Sequence, residues 1–215
     1  MSEPSELRET ARLEAFSDGV FAIGATILVL DLRLPTVEHV TTGRLIRAVL
    51  HQWPSYFAFA LSFATILIMW INHHARMGLV ARIDGLLMFA NGFVLFMIAT
   101  LSFPTAIVGK YLTGSGARGA VFVYAMFVLT QSGAWNLFMF AMKPERGLLQ
   151  PGVPASLIAR TRRRVGLGLV VYAAAAGLAL LNAYLGLAII TAMWAFWGAV
   201  AYQALNERRT LSTEA

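Results

Sequence analysis

The chain has 215 residues, of which 58% are hydrophobic and 13% are charged, whereas a soluble domain usually carries about 25% charged residues. This balance excludes a globule in water and predicts an integral membrane protein, and the absence of cysteine excludes disulfides, thiolate metal sites and cysteine nucleophiles. The net charge of +6 indicates basic cytoplasmic loops, so no nucleic-acid partner is expected.

The first predicted helix, residues 8–32, contains a carboxylate within an otherwise apolar stretch. Only the residues 19–30 separate Asp18 from Asp31, which is fewer than the roughly 20 residues that cross a membrane. The helical pattern extends back to Arg8, however, and a helix over 8–32 would be about 37 Å long. It can cross only with Asp18 inside the membrane or at its edge, which favours a place within a bundle of helices.

Five further membrane helices are predicted from uncharged stretches. They are expected at residues 52–75, 84–110, 118–142, 164–182 and 185–206. The last uncharged stretch, residues 165–206, would be about 63 Å long as one helix, roughly twice the hydrocarbon layer. It is therefore predicted to form a hairpin that turns near Asn182. The whole chain, residues 1–215, is expected to be one all-α membrane domain of six transmembrane helices.

Lys and Arg are distributed unequally between the two sides that six helices define. Twelve of them fall on the side of the termini and five on the other, so both termini are expected to be cytoplasmic. The acidic N-terminal segment does not resemble a secretory signal, and the first helix is expected to stay on the chain. The loop 143–164 ends in the basic run 160–164, which we interpret as a cytoplasmic linker or, alternatively, a contact for anionic lipid.

Polar side chains collect at the cytoplasmic ends of the first three helices. They are Arg12, Ser17, Asp18, Asn72, His73, His74, Asp84 and Asn91. A charge at this depth needs a partner, because isolated burial costs several kcal/mol. Two interpretations stay open: a structural network that locks the three helices together, or a proton or ion relay. No metal centre is expected, because the adjacent His73 and His74 point about 100° apart on a helix.

The face of the first helix opposite Asp18 is almost wholly apolar. With a spacing of about 3.6 residues, one stripe carries Phe16, Gly19, Ile23, Thr26 or Ile27, and Leu30. This stripe could simply face lipid or another helix. Alternatively, copies of it could meet around a symmetry axis, where rings of apolar side chains close a pore by dewetting and a ring of Thr26 hydroxyls contacts a partly dehydrated ion.

The same helix resembles the signature of a known channel family. Arg12 is followed by Phe16-Ser17-Asp18-Gly19-Val20-Phe21-Ala22-Ile23 and then by Leu28-Val29-Leu30-Asp31-Leu32. This pattern is similar to the first helix of the potassium channel family called transmembrane protein 175. The pattern of that family's second and third helices is similar to Trp70, His73, His74, Asp84, Asn91 and residues 101–104. The resemblance covers roughly the first half of the chain.

The resemblance implies a bacterial-type, potassium-permeable channel. An enzyme is not expected, because the sequence shows no nucleophile–base or metal-ligand spacing. Six-helix members of the family are homotetramers, so the first helices would line a central pore. The family lacks the TVGYG filter of ordinary potassium channels, and so does this sequence. Constriction and selectivity would fall instead on Ile23, Thr26, Ile27 and Leu30.

The resemblance also implies that the polar cluster is a structural brace. Its members here would be Arg12, Phe16, Ser17, Asp18, Trp70, His73, His74, Asp84 and Asn91. The implied partners are copies of the chain, the lipid bilayer and monovalent cations, with no resident cofactor or metal, in the plasma membrane of a prokaryote. The alternative function is a proton-coupled secondary transporter in which Asp18 and His73 titrate. Such transporters carry broken helices near the midplane, and no proline interrupts the first helix there.

Overall fold

The structure, a computed structural model, describes residues 4–33 and 35–213, with side chains over 8–33 and 35–203. Its α-helices are α1 (Pro4–Ile27), α2 (Thr42–His51), α3 (Trp53–Met77), α4 (Gly85–Ala99), α5 (Ser102–Tyr111), α6 (Ala117–Ala141), α7 (Ala155–Leu181) and α8 (Ala183–Thr213). Two short 3-10 helices, η1 (Leu28–Asp31) and η2 (Pro144–Arg146), follow α1 and α6.

Six segments of the described chain are helical, long and apolar enough to cross a membrane. They are Arg8–Asp31, Trp53–Met77, Gly85–Tyr111, Ala117–Ala141, Ala155–Leu181 and Ala183–Gln203. The predicted all-α architecture with six candidate membrane helices is therefore confirmed. The first of these segments contains Asp18, as expected, because the uncharged residues 19–30 alone are too few to cross a membrane.

The structure differs from the sequence prediction at three places. The third span is broken between Ala99 and Ser102, because Pro104 in the first turn of α5 has no N–H to donate back along the helix. The connection between the first two predicted spans contains the additional helix α2. α7 begins at Ala155, so the basic run 160–164 belongs to a helix and not to a loop.

The last two helices form a tight antiparallel pair. Asn182 has an extended backbone (φ −148°, ψ 118°), and its Oδ1 accepts the backbone N–H groups of Tyr184 and Leu185 at 2.9 and 3.3 Å. This side chain therefore caps the start of α8. A Cβ added at Gly186 would lie 2.7 Å from the Cβ of Ala179, so only glycine allows this close approach.

The bundle is built around α6, which packs against α4, α5, α7 and α8, while α3 packs against α5 and α8. α1 packs on this assembly mainly through α3 and α4. A Cβ added at Gly24 would lie 2.7 Å from Cγ2 of Ile98, so α1 and α4 are close at this point. One side of α1 is consequently fixed to the bundle, and the other remains outside it.

Asp84 joins two loops on one side of the bundle. Its carboxylate accepts the Leu87 N–H at 2.8 Å, capping α4, and also accepts a hydrogen bond from the guanidinium of Arg146 in η2. The backbone N–H of Leu87, helped by Arg146, holds the pKa of Asp84 below its usual value. Nearby, the backbone N–H of Ala81 donates to the Leu148 carbonyl at 2.8 Å, so the α3–α4 and α6–α7 connections are paired.

We expect Asp84→Ala to lower the free energy of unfolding near neutral pH by about 0.5–2 kcal/mol, the usual cost of losing an N-cap. Because the folded-state pKa of Asp84 is lowered, the charge contributes above the unfolded pKa of about 4 and is lost as pH falls through the folded pKa. Thermal unfolding in detergent between about pH 7 and about pH 3 should show the gap between parent and variant midpoints closing in acid.

Asp84→Asn is the matched control, since asparagine also caps helices but carries no charge. It should lose less stability near neutral pH than Asp84→Ala. A gap for Asp84→Ala that stays constant or widens on acidification would contradict the assignment.

Candidate functional site

The packed face of α1 is lined by residues three or four positions apart. Ser17, Phe21, Gly24 and Leu28 are all buried against α3 and α4. This spacing is the helical repeat, so the four side chains share one face. Within this set only Ser17 carries a polar side chain.

The opposite face of α1 is exposed in the single chain and mostly apolar. Phe16, Ile23 and Leu30 are 64%, 62% and 76% exposed, and Thr26 lies between them, also exposed. Ile27 is half-buried at the edge of this face. The Thr26 hydroxyl donates to the Ile23 carbonyl at 2.9 Å, so its oxygen keeps a lone pair for a further partner. The structure thus places all the residues of the predicted stripe on or beside one unoccupied face.

A chain of hydrogen bonds fixes the packed face to the neighbouring helices. Asn91 on α4 donates through Nδ2 to the Ser17 hydroxyl at 3.0 Å, and its Oδ1 lies 2.6 Å from Nε2 of His73 on α3. All three side chains are buried. The His73 ring lies 5.2 Å from the ring of Phe21 and 5.5 Å from that of Phe138. Three helices are therefore joined through one asparagine.

Asp18 makes a second contact between α1 and α3. The indole N–H of Trp70 donates to its carboxylate at 2.9 Å. Both residues line a groove of about 350 Å³ between the two helices, whose other walls are mostly apolar and include Phe63 and Leu67. This carboxylate lies at the edge of the exposed face, so it is not enclosed within the bundle.

The remaining predicted members of the polar cluster take no part in these hydrogen bonds, although the His74 ring stacks on that of Trp70 with the centroids 6.0 Å apart. His74 lies with Nδ1 2.9 Å from the Glu14 carboxylate, and Asp84 caps α4 and binds Arg146. Arg12 and Phe16 are exposed on α1. The structure therefore brings together Ser17, Asp18, Trp70, His73 and Asn91, and it does not bring Arg12, Phe16 or Asp84 to them within one chain.

Sequence reasoning missed Glu14 and Arg146. The spacing of Glu14 one turn before Asp18 places both carboxylates on neighbouring parts of α1, which could have indicated a second contact with α3. No local signal links Arg146 to Asp84, 62 residues away. In the part of the chain that the structure describes, no three His, Asp or Glu side chains converge as a metal site would require.

Comparison with known proteins places this arrangement in a family. The family model described as endosomal/lysosomal potassium channel TMEM175 matches residues 12–101, which hold both faces of α1 and the network. A potassium channel of Chamaesiphon minutus is 41% identical over 191 residues, covering 88% of this chain and 93% of the relative. A potassium channel of Streptomyces collinus is 40% identical over 183 residues, covering 85% and 88%.

The endosomal/lysosomal proton channel TMEM175 of Danio rerio is 33% identical over 163 residues, but these make up 30% of its length. Among solved structures, a lysosomal potassium-selective channel TMEM175 homolog from Chamaesiphon minutus aligns with a TM-score of 0.81 at 34% identity, covering 90% of this chain and 98% of that one. Identity at this level over nearly the full length of both chains confirms the resemblance seen in α1: the chain belongs to the TMEM175 family.

Proposed function

We propose that this chain forms a potassium-permeable cation channel in which the α1 helices of four copies line a central pore. The observation that carries this proposal is the exposed stripe of α1, which bears large apolar side chains together with Thr26 and Arg12. An arginine and a threonine on the stripe suit a water-containing axis better than lipid. The relatives from Chamaesiphon minutus and Streptomyces collinus are named potassium channels.

In such a pore the stripe would form stacked rings. Successive turns of a helix are about 5.4 Å apart, so Ile23, then Thr26 and Ile27, then Leu30 would each contribute a ring. Rings of bulky apolar side chains form a gate by excluding water. Thr26 uses its hydroxyl proton within the helix, which leaves the oxygen to contact a partly dehydrated cation.

The polar network would set which face of α1 meets the axis. A residue step turns a helix by about 100°, so a shift of one position would move Asp18 toward the pore and Ile23 away from it. The bonds from Asn91 to Ser17 and His73 oppose that rotation. In this proposal the network acts as a brace, and its members do not contact the ion.

The groove between α1 and α3 supports assembly from copies of the chain. It is contiguous with the stripe through Ala22, and its walls are largely apolar. An apolar side chain from a neighbouring copy would fill it without leaving a polar group unsatisfied. We place the tetramer in the plasma membrane of a prokaryote with both termini in the cytoplasm, since twelve of the seventeen Lys and Arg lie on that side.

The proton-coupled transporter is less well supported by the geometry. Asp18 and His73 bind different partners, Trp70 and Asn91, and α1 is continuous from Pro4 to Ile27. Saturable turnover coupled to proton flux, lost in Asp18→Asn while the fold is retained, would favour the transporter over the channel.

Ile23→Asn is expected to raise potassium flux through the reconstituted protein. A polar ring in place of an apolar one would let water enter the constriction, and each 1.4 kcal/mol removed from the barrier raises the rate about tenfold. The measurement is potassium efflux from loaded liposomes, repeated with sodium to obtain the selectivity.

Val170→Asn on α7 is the matched control, because Val170 is 64% exposed and Ile23 is 62% exposed. It should leave the flux unchanged. Absence of flux from the parent protein, with Ile23→Asn behaving like the control, would refute the pore assignment.

Cross-linking tests the central position of α1. The chain has no cysteine, so Ile23→Cys provides one thiol per subunit. We expect a short bismaleimide to join subunits of Ile23→Cys in membranes, because these thiols would face a common axis, and to leave Val170→Cys uncross-linked. Native mass spectrometry of the parent should show four chains. A monomer, or equal cross-linking at both positions, would argue against the proposed assembly.

A double-mutant cycle tests the brace. Ser17→Ala and Asn91→Ala should be non-additive in the free energy of unfolding by about 0.5 kcal/mol or more, because the two side chains share a hydrogen bond. Ser17→Ala and Asn136→Ala, which bind different partners, should add. Unfolding in mixed detergent micelles gives each value, and additivity of the first pair would mean that the network does not couple α1 to α4.

A further inference from the structure

α2 is a helix that belongs to none of the six membrane spans. It covers Thr42–His51, and α3 begins one residue after Gln52. Thr41 precedes it in an extended conformation and accepts the Arg44 N–H at 3.4 Å, which caps its start. α2 therefore lies at the end of a membrane helix, on the side opposite both termini.

The two faces of α2 differ sharply in chemistry. Leu45, Ile46, Val49 and Leu50 occupy an arc of about 140°, and the basic residues Arg44, Arg47 and His51 occupy an arc of about 60° on the opposite side. The four apolar side chains are 43%, 55%, 38% and 67% exposed. No residue of α2 is buried, so both faces remain accessible within the chain, where one nitrogen of the Arg44 guanidinium donates to the carbonyls of Glu38 and His39.

The surroundings of α2 indicate what covers its apolar and basic faces. Trp53 and Tyr56, in the first turn of α3, are 46% and 37% exposed, and exposed aromatic side chains at the end of a membrane helix mark the interface with water. A short helix with one apolar and one cationic face at that depth is typical of a segment that lies in the plane of the interface. Its charges complement the phosphates of acidic phospholipids.

We propose that α2 lies flat in the membrane interface, with its apolar face among the acyl chains and Arg44, Arg47 and His51 bound to acidic phospholipid headgroups. The proposal does not depend on the pore, because it rests on the two faces of α2 and not on the exposed face of α1. It gives the chain a lipid-binding site outside the bundle.

Spin labelling tests the placement. The cysteine-free chain allows single labels at Ile46→Cys and Arg47→Cys in vesicles of phosphatidylcholine and phosphatidylglycerol. We expect the label at 46 to collide with oxygen and be shielded from a water-soluble nickel chelate, and the label at 47 to be accessible to the chelate. Equal access of the chelate to both positions would overturn the proposal. So would a label at 46 that is shielded from both reagents and spin-coupled to its copies, because α2 would then contact another subunit.

Lipid retention tests the headgroup contact. Native mass spectrometry of Arg44→Gln/Arg47→Gln, purified with phosphatidylglycerol, should show the lipid bound about fivefold or more weakly, since each basic residue near an acidic surface contributes roughly fivefold. The matched control is Lys110→Gln/Arg118→Gln, which removes the same charge from the two helix ends that flank the α5–α6 connection on that side. Equal loss in both variants, or no loss in the first, would contradict a specific site on α2.

Discussion

The rotation of α1 about its own axis is the constraint on which the rest of this structure depends. Gly24 allows α1 to approach Ile98 closely, and Asn91 holds Ser17 while it also contacts His73. These contacts favour one orientation of the helix, because in a rotated helix a larger side chain would replace Gly24 against Ile98, and the Nδ2 group of Asn91 would lose the Ser17 hydroxyl. The face that remains outside the bundle follows from that choice.

The parts of this arrangement that depend on periodicity could be predicted from the sequence. Five helices follow from uncharged stretches of membrane length, and the first follows from a helical pattern that extends back to Arg8. The exposed stripe follows from the 3.6-residue spacing of Phe16, Ile23 and Leu30. The pairing of Ser17 and Asp18 with residues of α3 and α4 could also be expected, because polar groups at one membrane depth require partners. In these cases the local sequence pattern and the membrane environment together limit which structure the chain can form.

The parts that depend on distant contacts could not be predicted. Asp84 was predicted at the same depth as the other members of the polar cluster. As the cap of α4, however, its carboxylate faces Leu87 and Arg146 and not α1. Depth alone does not distinguish these two environments, because both are polar and close to the membrane surface. The break before α5 and the helix α2 do not depend on distant contacts. Pro104 indicates the break, and the separation of apolar and basic residues over 42–51 indicates the helix, but the length of uncharged stretches, from which the spans were predicted, shows neither.

The middle and the C-terminal end of α1 are held by different means. In the middle of α1, buried hydrogen bonds from Asn91 tie Ser17 to α3 and α4. At its C-terminal end, α1 is followed by the 3-10 helix η1, and the chain then continues to α2. The Arg44 side chain donates to the carbonyls of Glu38 and His39 at 3.4 and 3.5 Å, so this connection is fastened to α2. Because Leu28 is buried and η1 packs against α3 and α5, a displacement of α2 in the proposed lipid interface would act on residues 35–41 before it acted on the packed face of α1. Contacts between buried partners resist movement more than a helix resting on acyl chains does.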